Sequence, residues 1–277
     1  MTLPDKIVSE IMSYQGETGK IDAYVARPDS SESCPAVVVI HEIYGLVEHT
    51  KDVANRFARQ GYVALAPHLF SGDPELRSTL TIQNIGMALQ FIMSLPPEKV
   101  RDQAYIQQEL SKQNGDNKEV LQRTSRLLFG GMPKDSLTQD LVKAVEYLSS
   151  QNYVRAGKIG SVGFCFGGGM SINLACHAPT AACIIFYGEN PSPIDLIQNV
   201  KGPVLGIYGG EDQRINSNLD QLVKAMAQYK KDFEMRIYPG ASHAFFNDTE
   251  KRRYNEAASI DAWDRVLRFY ERTLKAS

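Results

Sequence analysis

Short apolar runs rich in β-branched residues recur along the chain, and such runs are typical of buried strands. Six of them cover residues 36–40, 62–66, 158–165, 182–187, 204–208 and 234–238. Apolar positions at helical spacing lie between several of these runs, as at Val53, Phe57 and Ala58. This alternation predicts an α/β fold with a mostly parallel central sheet and helices on both faces.

The two ends of the chain carry different patterns. Residues 7–14 and 21–26 alternate apolar and polar side chains on either side of a turn at 16–19, which predicts an antiparallel hairpin at one edge of the sheet. Residues 255–274 place apolar side chains at helical spacing, so they predict a last helix that packs on the sheet.

Residues 71–133 interrupt the alternation, because they contain no strand pattern. Two helices separated by a polar turn at 114–117 are predicted there from their apolar residues: Ile82, Ile85, Leu89 and Ile92 in the first, and Val120, Leu121, Leu127 and Leu128 in the second. Long insertions in compact domains are more often lids or binding elements than idle loops. We therefore expect a single α/β domain over residues 1–277, with a helical cap at 71–133 over the C-terminal edge of the sheet.

Composition and charge exclude several classes of protein. The 277 residues carry a net charge of -2, so the chain lacks the basic surface that nucleic-acid binding requires. Residues 1–19 are mostly polar, and no run approaches the roughly 18 apolar residues of a membrane helix, so we expect neither a signal peptide nor a membrane partner. Four cysteines without CxxC spacing favour free thiols in a reducing cytoplasm. The sequence leaves the oligomeric state open.

The most informative stretch is GFCFG at 163–167, where a predicted strand runs into a glycine-rich turn and then a helix. This pattern is typical of a nucleophile elbow with Cys165 in the nucleophile position, because glycines two residues before and after leave room for the crossing chain. The positive end of the helix dipole favours the thiolate at that place. The remaining cysteines are expected to be inert: Cys34, Cys176 and Cys183.

A nucleophile at an elbow needs a base and an orienting acid, each on a loop that follows a later strand. Asp212 lies in GGEDQ directly after the run at 204–208, and His243 lies in PGASHAF after the run at 234–238. The order Cys165, Asp212, His243 is the order found in α/β hydrolases. We expect these three side chains to form a catalytic triad.

The loop after the first core strand reads HEIYG at 41–45, where this architecture places the second oxyanion-hole amide. A zinc-protease motif would need a second histidine four residues after His41, and that position is Gly45. A phosphate-binding loop fails as well, because no Lys-Ser or Lys-Thr follows the glycines. The sequence therefore predicts neither a metal nor another cofactor.

Together these motifs resemble the dienelactone hydrolases (carboxymethylenebutenolidases), a family of α/β hydrolases. The resemblance covers most of the chain and rests on four stretches: GFCFGG at 163–168, HEIYG at 41–45, GGEDQRI at 209–215 and SHAFFNDT at 242–249.

The resemblance implies a role for each motif. Cys165 is the implied nucleophile, His243 its base and Asp212 the residue that orients the base. Glu42 is implied to pair with the thiol and to help create the thiolate when substrate binds. The implied oxyanion hole consists of the backbone amides of Ile43 and Phe166.

The substrate-binding positions depart from the family's pattern. Characterised dienelactone hydrolases use an arginine four residues after the catalytic histidine to help hold the substrate carboxylate, and here Asn247 occupies that position. A second substrate arginine is expected from the cap, where Arg123 and Arg126 are the candidates. Together with Tyr44, these residues are the expected substrate contacts.

The leading hypothesis is a cysteine-dependent hydrolase of small-molecule lactones or activated esters that works through a thioacyl-enzyme. A general carboxylesterase or peptidase is the second hypothesis, and it is weaker because a thiolate leaves a tetrahedral intermediate more easily than an ordinary alkoxide does. A redox-responsive or ligand-binding protein without turnover is the third. The complete triad argues against that last reading.

Overall fold

A twisted sheet forms the centre of the computed structural model, which describes residues 4, 6–100, 102–113, 115 and 117–276. Its eight strands within that part of the chain are β1 (Ile7–Gln15), β2 (Lys20–Pro28), β3 (Cys34–Ile40), β4 (Val63–Pro67), β5 (Val154–Phe164), β6 (Ala182–Phe186), β7 (Val204–Gly209) and β8 (Phe233–Tyr238). Their spatial order is β1-β2-β4-β3-β5-β6-β7-β8. The strands β3 to β8 are parallel, and the β1–β2 hairpin joins β4 antiparallel, so the predicted fold class is confirmed.

Helices cover both faces of this sheet because its central strands are apolar on both sides. The helices that pack on it are α1 (Glu48–Arg59), α6 (Lys134–Ser149), α7 (Phe166–His177), α9 (Leu219–Gln228) and α10 (Glu256–Tyr270). Val37 and Val39 of β3 belong to the core beneath α1 and α10, whereas Val38 and Ile40 belong to the core beneath α6 and α7. Successive residues of a strand face opposite sides of a sheet, which explains this division.

The insertion at 71–133 is helical, but it contains more helices than the pattern predicts. Its helices are α2 (Pro74–Thr79), α3 (Ile82–Met93), α4 (Gln103–Ser111) and α5 (Asn117–Arg126), followed by a π-helical turn at Leu127–Gly131. Residues 114 and 116 of the predicted turn lie outside the described residues. The insertion has a small core of its own, formed by Ala88, Phe91, Leu95, Ile106, Leu110 and Leu121. Ile85 and Leu127 instead belong to the core beneath α6 and α7, so they anchor the insertion to the sheet.

Several details of the predicted strands are wrong. The run at 234–238 does not form a buried strand, because β8 lies at the edge of the sheet and leaves Met235 41% and Ile237 37% exposed. Cys165 does not belong to β5 either, since that strand ends at Phe164. A last short helix, α8 (Gln213–Asn216), follows β7 and was not predicted. Within the described residues, no helix is both long and apolar enough to span a bilayer.

Candidate active site

The turn from β5 into α7 holds Cys165 in a strained backbone conformation. Its φ of 55° and ψ of -114° are unfavourable for a residue with a side chain. The Cys165 amide donates to the Phe186 carbonyl at 3.0 Å, and the Cys165 carbonyl accepts from the Gly168 amide at 2.9 Å. These two bonds hold the turn, so the partly exposed thiol is presented at the carboxyl end of the parallel strands.

Glycines are required around Cys165 because backbone groups approach them closely. A Cβ atom at Gly163 would lie 1.8 Å from the Gly167 carbonyl oxygen. One at Gly167 would lie 2.3 Å from the Ile40 carbonyl oxygen, and one at Gly168 would lie 2.5 Å from that of Phe186. The structure therefore has the crossing geometry that the sequence predicts for an elbow.

His243 and Asp212 meet beside this turn. Asp212 follows β7 and His243 follows β8, and the Nδ1 atom of His243 lies 2.5 Å from Oδ2 of Asp212. The Asp212 side chain is 4% exposed and that of His243 is 21% exposed. The carboxylate accepts from Nδ1–H, which leaves the other ring nitrogen free to exchange a proton with Cys165.

The carboxylate of Asp212 and the thiol group of Cys165 change the protonation of His243. Burial by itself lowers the pKa of the imidazole, but the Asp212 and Cys165 side chains outweigh that effect and raise the pKa to about 9. An imidazole with such a pKa readily holds the proton that a neighbouring thiol gives up.

Glu42 lies beside the same turn and is buried. Its Oε2 atom accepts from the Asn247 side-chain amide at 2.7 Å, whereas Oε1 has no hydrogen-bond partner among the described residues. Burial raises the pKa of Glu42, although the Asn247 hydrogen bond and the nearby His243 oppose that shift. Glu42 therefore binds Asn247 in this structure, whereas the resemblance implies a pair with the Cys165 thiol.

The amides of Ile43 and Phe166 are the expected donors of the oxyanion hole. Ile43 belongs to the loop after β3, and Phe166 is the first residue of α7. Neither amide donates to a backbone acceptor within the part of the chain that is described. Both N–H groups are therefore available to an oxyanion.

Comparisons with known proteins agree with this architecture. The family model described as "Dienelactone hydrolase family" matches residues 21–274. The chain belongs to the dienelactone hydrolase family. It is 43% identical over 262 residues, 95% of this chain and 98% of the relative, to a Saccharolobus solfataricus protein named "Putative carboxymethylenebutenolidase". As a member of this family, the protein is a hydrolase that acts on ester bonds.

Solved structures show the same fold at lower identity. The crystal structure of a "Putative Dienelactone Hydrolase" from Klebsiella pneumoniae has a TM-score of 0.72 and 24% identity, and the match covers 96% of this chain and 99% of that one. The acylaminoacyl peptidase of Pyrococcus horikoshii has a TM-score of 0.66 and 15% identity over 99% of this chain and 43% of that one. The fold therefore occurs in proteins of different activity, so the reaction has to be inferred from the residues of the site.

Asn247, at the position of the expected substrate arginine, forms hydrogen bonds within the protein. Asn247 is buried, and besides donating to Glu42 it accepts through Oδ1 from the amide and the hydroxyl of Thr249 at 3.1 and 2.6 Å. Both ends of its side chain are thus engaged within the protein. Asn247 thus donates to Glu42 in this structure, and its expected contact with substrate stays a prediction.

The two cap arginines are exposed, and their described hydrogen bonds are to other residues of the insertion. Arg123 donates to the Thr79 hydroxyl at 3.2 Å, and Arg126 pairs with Glu75 at 3.1 Å. Neither forms a described hydrogen bond with Cys165, His243 or Glu42. Their expected contact with substrate stays a prediction.

Tyr44 lines a cavity of about 280 Å³ between the sheet domain and the helical insertion. The cavity is lined by Asp22, Tyr44, Leu46, His68, Ser71, Arg77, Leu80, Thr81 and Ile82. Burial raises the pKa of the Tyr44 phenol, the Arg253 guanidinium opposes that shift, and Glu250, Glu42 and Cys165 add to it. Arg77 is paired with Asp22 at 2.5 Å within this cavity.

Tyr187 is a site residue that the sequence reasoning missed. It follows β6 directly, has a φ of 39°, and places its ring centroid 5.1 Å from that of His243. Burial raises its pKa, with Glu42 and Cys165 adding to the effect, so the phenol stays protonated. The Phe246 backbone, which lies near the Tyr187 hydroxyl, opposes that shift. The position of Tyr187 just after the carboxyl end of a central strand was the available signal.

The glycine crossing gives a first prediction. Gly167→Ala should destabilise the protein by about 3 kcal/mol or more and abolish activity, because the new Cβ meets two backbone carbonyl groups. Gly169→Ala is the matched control: its Cβ would lie 3.4 Å from the nearest atom, so we expect a change within about 1 kcal/mol. Denaturant unfolding of both variants tests this, and equal stability would contradict the crossing.

The Asp212–His243 pair gives a second prediction. Asp212→Asn should lower the pKa of His243 from about 9 towards its ordinary value of 6.5 and reduce turnover about 10⁴-fold. Since the pKa is raised on folding, the pair's contribution to stability is complete below pH 6.5 and is lost as the pH rises through about 9. NMR titration of the imidazole and unfolding at several pH values measure both effects. An unchanged His243 titration in the variant would assign the shift to another group.

Proposed function

We propose that this member of the dienelactone hydrolase family opens lactones or activated esters through a thioacyl-enzyme on Cys165. The observation that supports this proposal most directly is the elbow, which presents Cys165 next to the His243 imidazole. Nδ1 of that imidazole lies 2.5 Å from Oδ2 of Asp212. A thiol, a base and an acid on three different loops at one sheet edge have no comparable use in a structural core.

The reaction would proceed by two acyl transfers. The Cys165 sulfur attacks the carbonyl carbon, an S–C bond forms, and the oxyanion is stabilised by the amides of Ile43 and Phe166. The ring or ester C–O bond then breaks, and the leaving oxygen takes the proton held by His243. Water next gives a proton to His243 and attacks the thioester, and collapse of the second intermediate releases the acid and the thiolate.

The leaving groups decide between ester and peptide substrates. A thiolate leaves a tetrahedral intermediate more easily than an ordinary alkoxide or amide, so unactivated substrates return to the starting state. Strained lactones and esters of acidic alcohols have better leaving oxygens and go forward. A general carboxylesterase or peptidase is therefore the weaker alternative, and a protein in which Cys165 reacts without turnover is the third.

The other cysteines support this assignment by contrast. All four cysteines are free thiols, as a reducing cytoplasm would keep them. Burial raises the pKa of Cys176 to about 12 and that of Cys183 to about 11, and it also raises the pKa of the half-buried Cys34. These three thiols should react slowly near neutral pH.

Turnover of a panel of lactones, aryl esters and alkyl esters tests the proposed function. We expect wild type to hydrolyse the lactones and aryl esters, and Cys165→Ala to lose this activity entirely. Mass spectrometry after rapid quenching should find the acyl group on Cys165, because the thioester is a covalent intermediate.

Cys34→Ala is the matched control, since Cys34 is a partly buried thiol outside the site and its loss should leave turnover unchanged. Faster turnover of alkyl esters or peptides than of lactones would favour the second hypothesis. Acylation or oxidation of Cys165 without any turnover would favour the third.

Whether the protein can bind an anionic substrate depends on the charged side chains of the cap. Arg126 is neutralised by Glu75, and Arg77 is neutralised by Asp22 inside the cavity. Arg123 instead has only the neutral Thr79 hydroxyl as a described partner, and Thr79 directly precedes three cavity-lining residues. We therefore propose Arg123 as the cap cation for an anionic substrate.

Arg123→Met should raise KM about 10-fold for an acidic lactone and leave its neutral methyl ester unaffected, because only the acid needs a charged partner. Arg126→Met is the matched control and should leave KM unchanged for both substrates. Steady-state kinetics on the acid and ester pair measure this. Equal activity of both variants on both substrates would point to a neutral substrate.

A further inference from the structure

His41 is a fully buried histidine at the end of β3 that the triad does not use. Its ring packs against those of Phe70 and Phe166, with centroid distances of 5.0 and 6.1 Å. Burial lowers its pKa to about 3, and the neighbouring His68 adds to that effect. The His41 imidazole is therefore neutral throughout the pH range of an ordinary assay.

Two backbone hydrogen bonds determine which ring nitrogen carries the proton. The Leu69 amide donates to Nε2 of His41 at 3.1 Å, so Nε2 must be the acceptor. The Nδ1 atom then carries the hydrogen and donates to the carbonyl oxygen of Glu42, 2.5 Å away. His41 thus links the backbone after β4 to the loop after β3.

The Glu42 carbonyl belongs to the same planar peptide unit as the Ile43 amide. In a trans peptide the C=O and N–H groups point in opposite directions, so the direction of one sets that of the other. The only other described donor to this carbonyl is the Gly45 amide, at a longer distance of 3.3 Å. The shorter bond from His41 therefore contributes most to the orientation of this peptide.

We infer that His41 is a positioning residue, which aims the Ile43 amide at the oxyanion by holding the opposite end of its peptide unit. This inference rests on the proposed function, because an oxyanion forms only if acyl transfer takes place. Displacement of an oxyanion donor by a fraction of an ångström weakens its bond to the transition state more than its contact with the substrate. The effect of losing the His41 bond should therefore fall on kcat.

A pair of amide variants separates the two hydrogen bonds of His41. His41→Asn places an amide near the position of Nδ1, so it keeps a donor for the Glu42 carbonyl and loses the acceptor for Leu69. His41→Gln places its amide near the position of Nε2, so it keeps the acceptor and loses the donor. His41→Asn leaves the Leu69 amide without its acceptor, and His41→Gln leaves the Glu42 carbonyl with only the longer bond from the Gly45 amide, so both variants should lose thermal stability.

We expect kcat for an activated aryl ester to fall roughly 10- to 100-fold in His41→Gln, with KM changed less than about threefold. His41→Asn should retain kcat within about fivefold of wild type, because the donor is restored. Alkylation of Cys165 by iodoacetamide requires the thiolate but forms no oxyanion, so its rate should be the same in wild type and both variants.

Three outcomes would overturn the inference. Equal losses of kcat in the Asn and Gln variants that follow their melting temperatures would show a structural role only. Alkylation that slows in parallel with kcat would show that His41 acts on the thiol. Loss expressed in KM with kcat intact would show that the peptide binds substrate rather than the transition state. Turnover that survives Cys165→Ala is a different failure, because it removes the proposed function itself.

Discussion

The close approach of α7 to the ends of β3 and β6 determines the arrangement of the site. At Gly167 and Gly168 the helix backbone contacts carbonyl groups of Ile40 and Phe186, with no room for side chains between them. The chain enters this contact through the positive-φ backbone conformation of Cys165. One packing constraint therefore places the thiol, the start of a helix and the loop after β3 at the same edge of the sheet.

The part of the site that follows from this constraint could be predicted from the sequence. Glycines that flank a single residue between a strand and a helix have few other physical explanations, and so Cys165 stood out from the other cysteines. Asp212 and His243 could be placed because each comes directly after a predicted strand, and the carboxyl ends of parallel strands meet at one edge. The sheet order and the hairpin pairing agree with the strand pattern for the same reason.

The details that could not be predicted depend on side chains that meet across distant parts of the chain. Asn247 and Glu42 are 205 residues apart, and no local pattern indicates that one orients the other. The edge position of β8 is another example, because an apolar run does not reveal which strand lacks a neighbour. The ion pairs of Arg126 and Arg77 depend on how the insertion packs, and the four α-helices that the structure describes there are only partly predicted by the spacing of apolar residues.

Two histidines at this edge of the sheet have different pKa values because their hydrogen-bond partners differ, although both are buried. Burial opposes the charged form of both His41 and His243. His243 has the Asp212 carboxylate beside it, and its pKa rises to about 9. His41 bonds only to backbone groups and faces His68, and its pKa falls to about 3. His243 can therefore carry a proton during a reaction. His41 instead keeps one tautomer, so it can hold the Glu42–Ile43 peptide in one orientation.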